Sequence, residues 1–187
     1  TDTLARESDF LVRIQRQADR KFLIASLIAE QVQPGTTVIL DGGTTTFAVA
    51  RLLVQKNVQV ITNSLPVASL FGEVGIGDTL VTGGNILGRL GILVGPLCEA
   101  SFEQVHADLA ILGGMGATER GIWNQNALVI AAQRRMIAAA ERTVFALDAS
   151  KFGRKALSLI APFDARMNIV TDTPPDEAVA TAIATAG

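Results

Sequence analysis

Cysteine is nearly missing from this chain of 187 residues: Cys98 stands alone, so no internal disulfide can form, and a buried small apolar role suits it. Histidine is as scarce. His106 is the only one, with no second ligand type at metal-binding spacing, so no metal site is expected and a surface or core role is assigned to it. Charge is thin too: 16 basic against 18 acidic side chains leave a net −2, and no lysine-arginine block occurs. An electrostatic footprint for nucleic acid is thereby excluded from the chain itself. No apolar run reaches the roughly twenty residues that a membrane helix needs, and no signal-peptide pattern is present. Export and membrane insertion are set aside, and a cytoplasmic setting is expected. Repeats, low-complexity tracts and Ser/Pro-rich linkers are missing as well.

Apolar residues, by contrast, are plentiful. They make up 49 % of the chain, rich enough that some apolar surface is expected to lie between subunits, in a homodimer or homotetramer. The length suits one domain with an appendage. Over residues 9–32, Phe10, Leu11, Ile14, Ala18, Phe22, Ala25, Ile28 and Ala29 recur at three- and four-residue steps with Arg13, Arg16, Asp19 and Arg20 between them, which predicts one amphipathic helix ended by Pro34-Gly35. Beyond it, β-branched runs predict strands at 37–41, 58–63, 79–83, 108–113, 143–148 and 168–172. Helical segments are expected at 45–56, 65–72, 97–105, 127–141 and 175–186. This alternation implies an α/β fold: a mostly parallel sheet with helices on both faces. The stretch 84–96 fits neither period and reads as a loop or a small excursion from the sheet. Residues 1–33 are taken as a linker and helix packed on the domain, and 34–187 as the domain.

Every predicted strand closes on a polar residue or glycine: Asp41, Asn63, Gly83, Gly113, Asp148 and Asp172. Such residues punctuate turns, but in open α/β sheets the carboxyl ends of the strands also form the rim of the ligand cleft. The strongest local signal is "ILDGGTTTFAVARLL", residues 39–53. Its small residues bring main-chain N–H groups at a helix N-terminus close to an anion, and Thr44, Thr45 and Thr46 add hydroxyls. A helix terminus alone favours a negative group by only about 0.3–1 kcal/mol, so the hydrogen bonds must supply most of the affinity. Phosphate, with several acceptor oxygens, suits that donor set. The stretch matches neither G-x-x-x-x-G-K-[ST] nor G-x-G-x-x-G. Asp41 would repel a phosphate in direct contact, so it either accepts from sugar hydroxyls or holds the loop. Thr44 has the simpler alternative of capping the next helix.

Asn63 and Ser64 follow the next strand and either face the same cleft or, for Ser64, cap the helix that starts at Leu65-Pro66. "DASKFG", 148–153, brings Lys151 to another strand end, where its ammonium suits a phosphate. "LGGMGATERG", 112–121, supplies close-approach glycines and a candidate lid. Trp123 either stacks on a sugar or packs between subunits, Arg134-Arg135 reads as a solvated helix face, and Arg89 leans towards the cleft.

Taken in order, "LDGGTTT", "VITNSLPVA", "VTGGN" followed by "LVGP", "ADLAILGGMGA", "ALDASKFG" and "NIVTD" resemble the effector-sensing domain of the DeoR family of bacterial transcriptional repressors, over roughly residues 9–173. The resemblance implies a fold shared with ribose-5-phosphate isomerase and coenzyme A transferases. It also implies a phosphorylated sugar or polyol as effector, held by Asp41, Gly42, Gly43, Thr44, Thr45 and Thr46 with Asn63, Ser64, Gly83, Gly113 and Lys151 around the same pocket, and it calls for no cofactor and no catalytic residue. Family members carry an N-terminal helix-turn-helix, whereas this chain begins at what resembles the linker, "ESDFLVRIQRQADRKFLIA". DNA is therefore expected as a partner only through a domain missing here. One segment departs from the family pattern: "NALVIAAQRRMI" has Leu128, Val129, Ala131 and Gln133 where charged residues are common, which argues against that helix touching the effector. The competing reading is a sugar-phosphate isomerase with Asp41, Glu119 or Asp148 as base.

Overall fold

Residues 10–187 are described by the structure, a computed structural model. The first elements are α1 (Phe10–Gln15), α2 (Ala18–Gln31), β1 (Thr37–Leu40), α3 (Thr44–Leu53), β2 (Gln59–Thr62), α4 (Leu65–Val74), β3 (Thr79–Val81), β4 (Asn85–Leu87) and β5 (Ile92–Val94). They are followed by α5 (Pro96–Glu103), β6 (Ala107–Leu112), β7 (Gly116–Thr118), β8 (Gly121–Asn124), α6 (Ala127–Ala138), β9 (Ala140–Ala146), a 3-10 turn (Ala149–Lys151), β10 (Ser158–Ala161), β11 (Met167–Val170) and α7 (Glu177–Ala186).

Six strands form one sheet in the order β11-β9-β6-β1-β2-β3, and every pair in it is parallel. Side chains alternate across a strand, so β1 feeds two cores. Val38 and Leu40 pack with Ile24, Ile28, Val49 and Leu53 of α2 and α3, while Ile39 packs on the other face with Phe102, Ile122 and Met136. Each such fully buried side chain stabilises by about 1.5–3 kcal/mol. Because α2 supplies Ile24, Ala25, Ile28 and Ala29 to the first core, it is part of the domain's packing rather than a detached arm.

From β1 the chain adds β2 and β3 on one side and then crosses to lay β6, β9 and β11 on the other. The strand order therefore reverses between β1 and β6, and the crevice beyond their carboxyl ends is where this architecture opens for a ligand.

Two sequence expectations change and the alternatives for a third are resolved. The single helix over 9–32 is broken at Gln17, which takes a left-handed conformation (φ 53°, ψ 40°) that costs an L-residue about 1–2 kcal/mol. The linker reading of residues 1–9 lies outside the described residues. The stretch 84–96 folds as the antiparallel hairpin β4–β5, so it is the excursion rather than a loop. The glycine-rich 112–121 segment is not a lid: it enters a three-stranded antiparallel sheet, β10-β8-β7. There Gly116 is obligatory, since a Cβ would lie 2.1 Å from the Arg154 carbonyl oxygen.

Candidate functional site

Where β1 ends, Asp41 is 1 % exposed and its carboxylate is met by three N–H donors. The Gly42 amide donates to Oδ1 (2.7 Å), and the Gly113 amide (3.3 Å) and Gln133 Nε2 (2.7 Å) donate to Oδ2. Gln133 reaches across from α6, also donates to the Gly113 carbonyl (2.9 Å), and accepts from Asn124 Nδ2 at 3.1 Å. One buried amide thus clamps the ends of β1, β6 and β8 at the crevice. Burial pushes the Asp41 carboxyl up to about 6, opposed by the hydrogen bonds from Gln133, Gly113 and Gly42 and by the charge of Arg13. It remains ionised at neutral pH, where three donors require an acceptor-only partner.

After Asp41 the chain turns into α3. Gly42 lies against the hairpin so closely that a Cβ would sit 2.0 Å from Ile92 Cγ2. Gly43 occupies the N-cap position without a side-chain cap, and Thr46 Oγ1 turns back to donate to the Gly43 carbonyl at 2.9 Å. The Thr44, Thr45 and Thr46 amides, and the Thr44 and Thr45 hydroxyls, have no acceptor among the described residues. These are the orphan donors of a first helical turn, the kind of group to which anions are drawn.

The remaining expected residues divide. Gly113 is on Asp41, as described. Asn63 is 1 % exposed and its Nδ2 donates to the Leu93 carbonyl (2.9 Å), while its own carbonyl accepts from the Leu93 amide (2.8 Å), so it pins the β4–β5 hairpin. Its Oδ1 is buried without a partner. Ser64 caps α4 by accepting from the Val67 amide. Gly83 follows edge strand β3, two strands from β1, and donates to Ser101 Oγ at 3.3 Å. Lys151 stands in the 3-10 turn after β9, where burial lowers its pKa and the Asp148 charge raises it. Asp148 itself is 4 % exposed and accepts from the Ser150 amide at 3.0 Å.

Other single residues also find places. Trp123 is buried, donates to Thr118 Oγ1 at 3.0 Å, and carries Arg120 over its ring. His106 is exposed beside Glu141, and no group of metal-ligating side chains occurs among the described residues. Cys98 is buried, which pushes its thiol up, and the sulfur accepts a hydrogen bond from Thr82 that opposes this. Arg135 pairs with Glu103, as a solvated face predicts, but Arg134 donates to the Ile160 and Leu159 carbonyls and ties α6 to β10.

Two contributors escaped the sequence reading. Gln133 is read from the sequence as one of the departures on α6, and the structure joins that helix to the strand ends through its bonds to Asp41 and Gly113, a supporting role beside the question of effector contact. The signal was available: Gln133 lies four residues after Val129 and three before Met136, so a polar side chain sat on the buried stripe of the helix. The second is Arg13. Arg13 is half-buried; burial lowers its pKa, and the charges of Asp148 and Asp41, the carboxylates at two strand ends, raise it. Assigned to the polar face of a straight helix, it gave no such signal.

Comparison with known proteins agrees with this architecture. Residues 16–173 match the family described as the DeoR C-terminal sensor domain. An Escherichia coli O157:H7 protein, provisionally named the aga operon transcriptional repressor, is 38 % identical over 73 % of this chain and 52 % of its own length. The glycerol-3-phosphate regulon repressor of Escherichia coli K12 is 30 % identical over 87 % of this chain and 66 % of its own. The chain therefore spans about half to two thirds of the length of such curated relatives. Among solved structures, ribose 5-phosphate isomerase A from Methanocaldococcus jannaschii superposes with a TM-score of 0.52 at 17 % identity, over 72 % of this chain and 54 % of that one. That likeness establishes the fold: the parallel sheet of the isomerase class with helices on both faces.

Proposed function

Because the chain belongs to the DeoR C-terminal sensor domain family, we propose that it binds a phosphorylated sugar or polyol at the Asp41–Thr46 turn and relays occupancy to a DNA-binding domain in a longer protein. The observation that carries this reading is the set of unpaired amides of Thr44–Thr46 and unpaired hydroxyls of Thr44 and Thr45 beside the strand-order reversal. The phosphate takes the amides, and the buried Asp41 network, shared with Gly113, keeps the turn in shape. Lys151, in the turn after β9 two strands from β1, supplies positive charge. Asn63 and Ser64 act one step back, holding the hairpin and the start of α4 that wall the turn. The name of the glycerol-3-phosphate regulon repressor supports a phosphorylated polyol as the chemical class.

Such a site delivers micromolar to millimolar affinity, about −8 to −4 kcal/mol. Replacing Thr44 and Thr45 with alanine is expected to weaken binding of a phosphorylated sugar by about tenfold or more, since two hydroxyl bonds to a charged group are worth about 1.5–3 kcal/mol each at most. Calorimetry on a fold shown intact by circular dichroism measures it, and unchanged affinity refutes the site.

The non-catalytic part of the reading is supported by the candidate bases. Asp41 is enclosed by donors, Asp148 is engaged by Ser150, and Glu119 is exposed in the turn between β7 and β8. Turnover of ribose 5-phosphate in a coupled assay would overturn it. A cytoplasmic setting follows from the regulatory role, and no helix among the described residues is long and apolar enough to cross a membrane.

Self-association completes the proposal. On α2, Phe22, Leu23 and Leu27 are 60 %, 47 % and 39 % exposed, large apolar side chains that the domain's own core leaves uncovered. Covering them with a second copy removes that surface from water. Phe22→Glu with Leu27→Glu is expected to shift the assembly to monomer in light scattering, and an unchanged mass would place the interface elsewhere.

A further inference from the structure

We propose that Arg13, carried by α1, is itself an effector-contacting residue: with Lys151 it takes the anionic group seated on the Thr44–Thr46 turn, which makes α1 a strap across the site. This rests on the sensor reading above and adds to it both a residue and the element that carries it.

Four observations converge. First, the neighbourhood holds an excess of desolvated cations. Arg13, Lys21 and Lys151 all lie within reach of one another's charge, and burial is the largest influence on each, lowering all three, with Lys21 brought to about 8. Second, two nearby carboxylates stand against these three cations. Asp41 accepts from three N–H groups, and Asp148 accepts at Oδ1 from the Ser150 amide and hydroxyl and offsets Arg13 and Lys151 through its charge. Among the described residues, no hydrogen bond or ion pair engages the Arg13 guanidinium or the Lys151 ammonium. Sequestered cations without direct partners, beside open amides, call for an anion. A guanidinium fits phosphate with paired donors.

Third, α1 is fastened to the parts that form the turn. The Phe10 ring stands edge-on to Phe47 of α3 at 5.5 Å, directly after the three threonines, and the Phe10 amide donates to the Arg89 carbonyl (3.2 Å) between β4 and β5. Arg89 thus meets the strap through its main chain. The Lys21 ammonium donates to the Arg13 carbonyl and fixes the end of α1 that carries the guanidinium. Fourth, the fastening is light. No residue of α1 is buried, and the strap joins the firmly packed α2 through Gln17, the one non-glycine among the described residues at positive φ. Strain at a hinge next to a ligand site is what a segment positioned by occupancy requires. An anion bridging Arg13 to the turn adds an attachment that the empty form lacks.

The test uses the chain described here with inorganic phosphate, glycerol 3-phosphate and ribose 5-phosphate as probes, and compares wild type with R13A, R13K and the Thr44→Ala/Thr45→Ala pair. Calorimetry is expected to show binding by wild type, at least tenfold weaker binding by R13A and an intermediate value for R13K. Trypsin cleavage after Arg13 and Arg16 is expected to slow when a probe saturates wild type. If R13A binds as wild type does while the threonine pair loses affinity, the sensor site stands and the strap falls. Binding that leaves cleavage at residues 13 and 16 unaltered also overturns the strap. If wild type binds none of the three probes, sensor reading and strap fall together.

Discussion

Replacing Gln133 with leucine is expected to destabilise the domain by about 3–5 kcal/mol, the largest effect of any single change at the site. The side chain is 1 % exposed and satisfies three groups: Asp41 Oδ2, the Gly113 carbonyl and Asn124 Nδ2. Leucine fills similar space but leaves all three without that partner. Each buried polar group left unpaired costs about 1–3 kcal/mol, and more where charge is involved. For a chain of this length the loss corresponds to a fall in melting temperature of about 10 °C, which urea and thermal unfolding measure together. Glutamate is the informative companion. It keeps the shape but sets a second carboxylate against Asp41, so one of the two must hold a proton. Gln133→Glu should therefore approach wild-type stability at acidic pH and fall away towards neutrality. A Gln133→Leu protein as stable as wild type would mean that the clamp across β1, β6 and β8 contributes nothing net.

The same residue marks where sequence reasoning stopped. The βα alternation was legible because β1 and β6 carry β-branched or aliphatic side chains on both faces, and because helices such as α6 hold a regular apolar stripe. The turn after β1 was legible because its composition is itself the mechanism: small residues permit close approach and an uncapped first turn offers amides. What escaped were features made by long-range contact. β7, β8 and β10 are three or four residues each, too short to display a period, and they pair only after the chain has returned from elsewhere. The break at Gln17 has no glycine or proline to announce it and accompanies the back-reach of Lys21 to the Arg13 carbonyl. Asn63 and Ser64 were legible as strand-end polar residues, but whether they face a ligand or their own hairpin depends on Leu93 and Val67. Strand-end position alone does not distinguish a cleft residue from a structural one.

Raising the pH from 4 to 7 is expected to remove up to about 3 kcal/mol of stability from wild type relative to Asp41→Asn. Burial lifts the Asp41 carboxyl from 3.8 to about 6 in the folded chain, the net result after the Gln133, Gly113 and Gly42 hydrogen bonds and the Arg13 charge have pulled it down. Between those values the folded state holds a proton that the unfolded state has released. Asp41's contribution is thus fully present below pH 3.8 and is lost as pH rises through 6. Asparagine cannot titrate, yet it is not harmless: with three N–H donors around the carboxylate, its own amide must face at least one of them. That penalty is the same at every pH and drops out when only the pH dependence of the difference is taken. Urea midpoints for both proteins at half-unit steps give the curve. A difference flat from pH 4 to 7 would mean that Asp41 ionises as freely as in solvent, and the case for a desolvated carboxylate shaping the anion turn would be lost. A slope that steepens in the R13A background would add that Arg13 already stabilises the ionised form before any effector arrives.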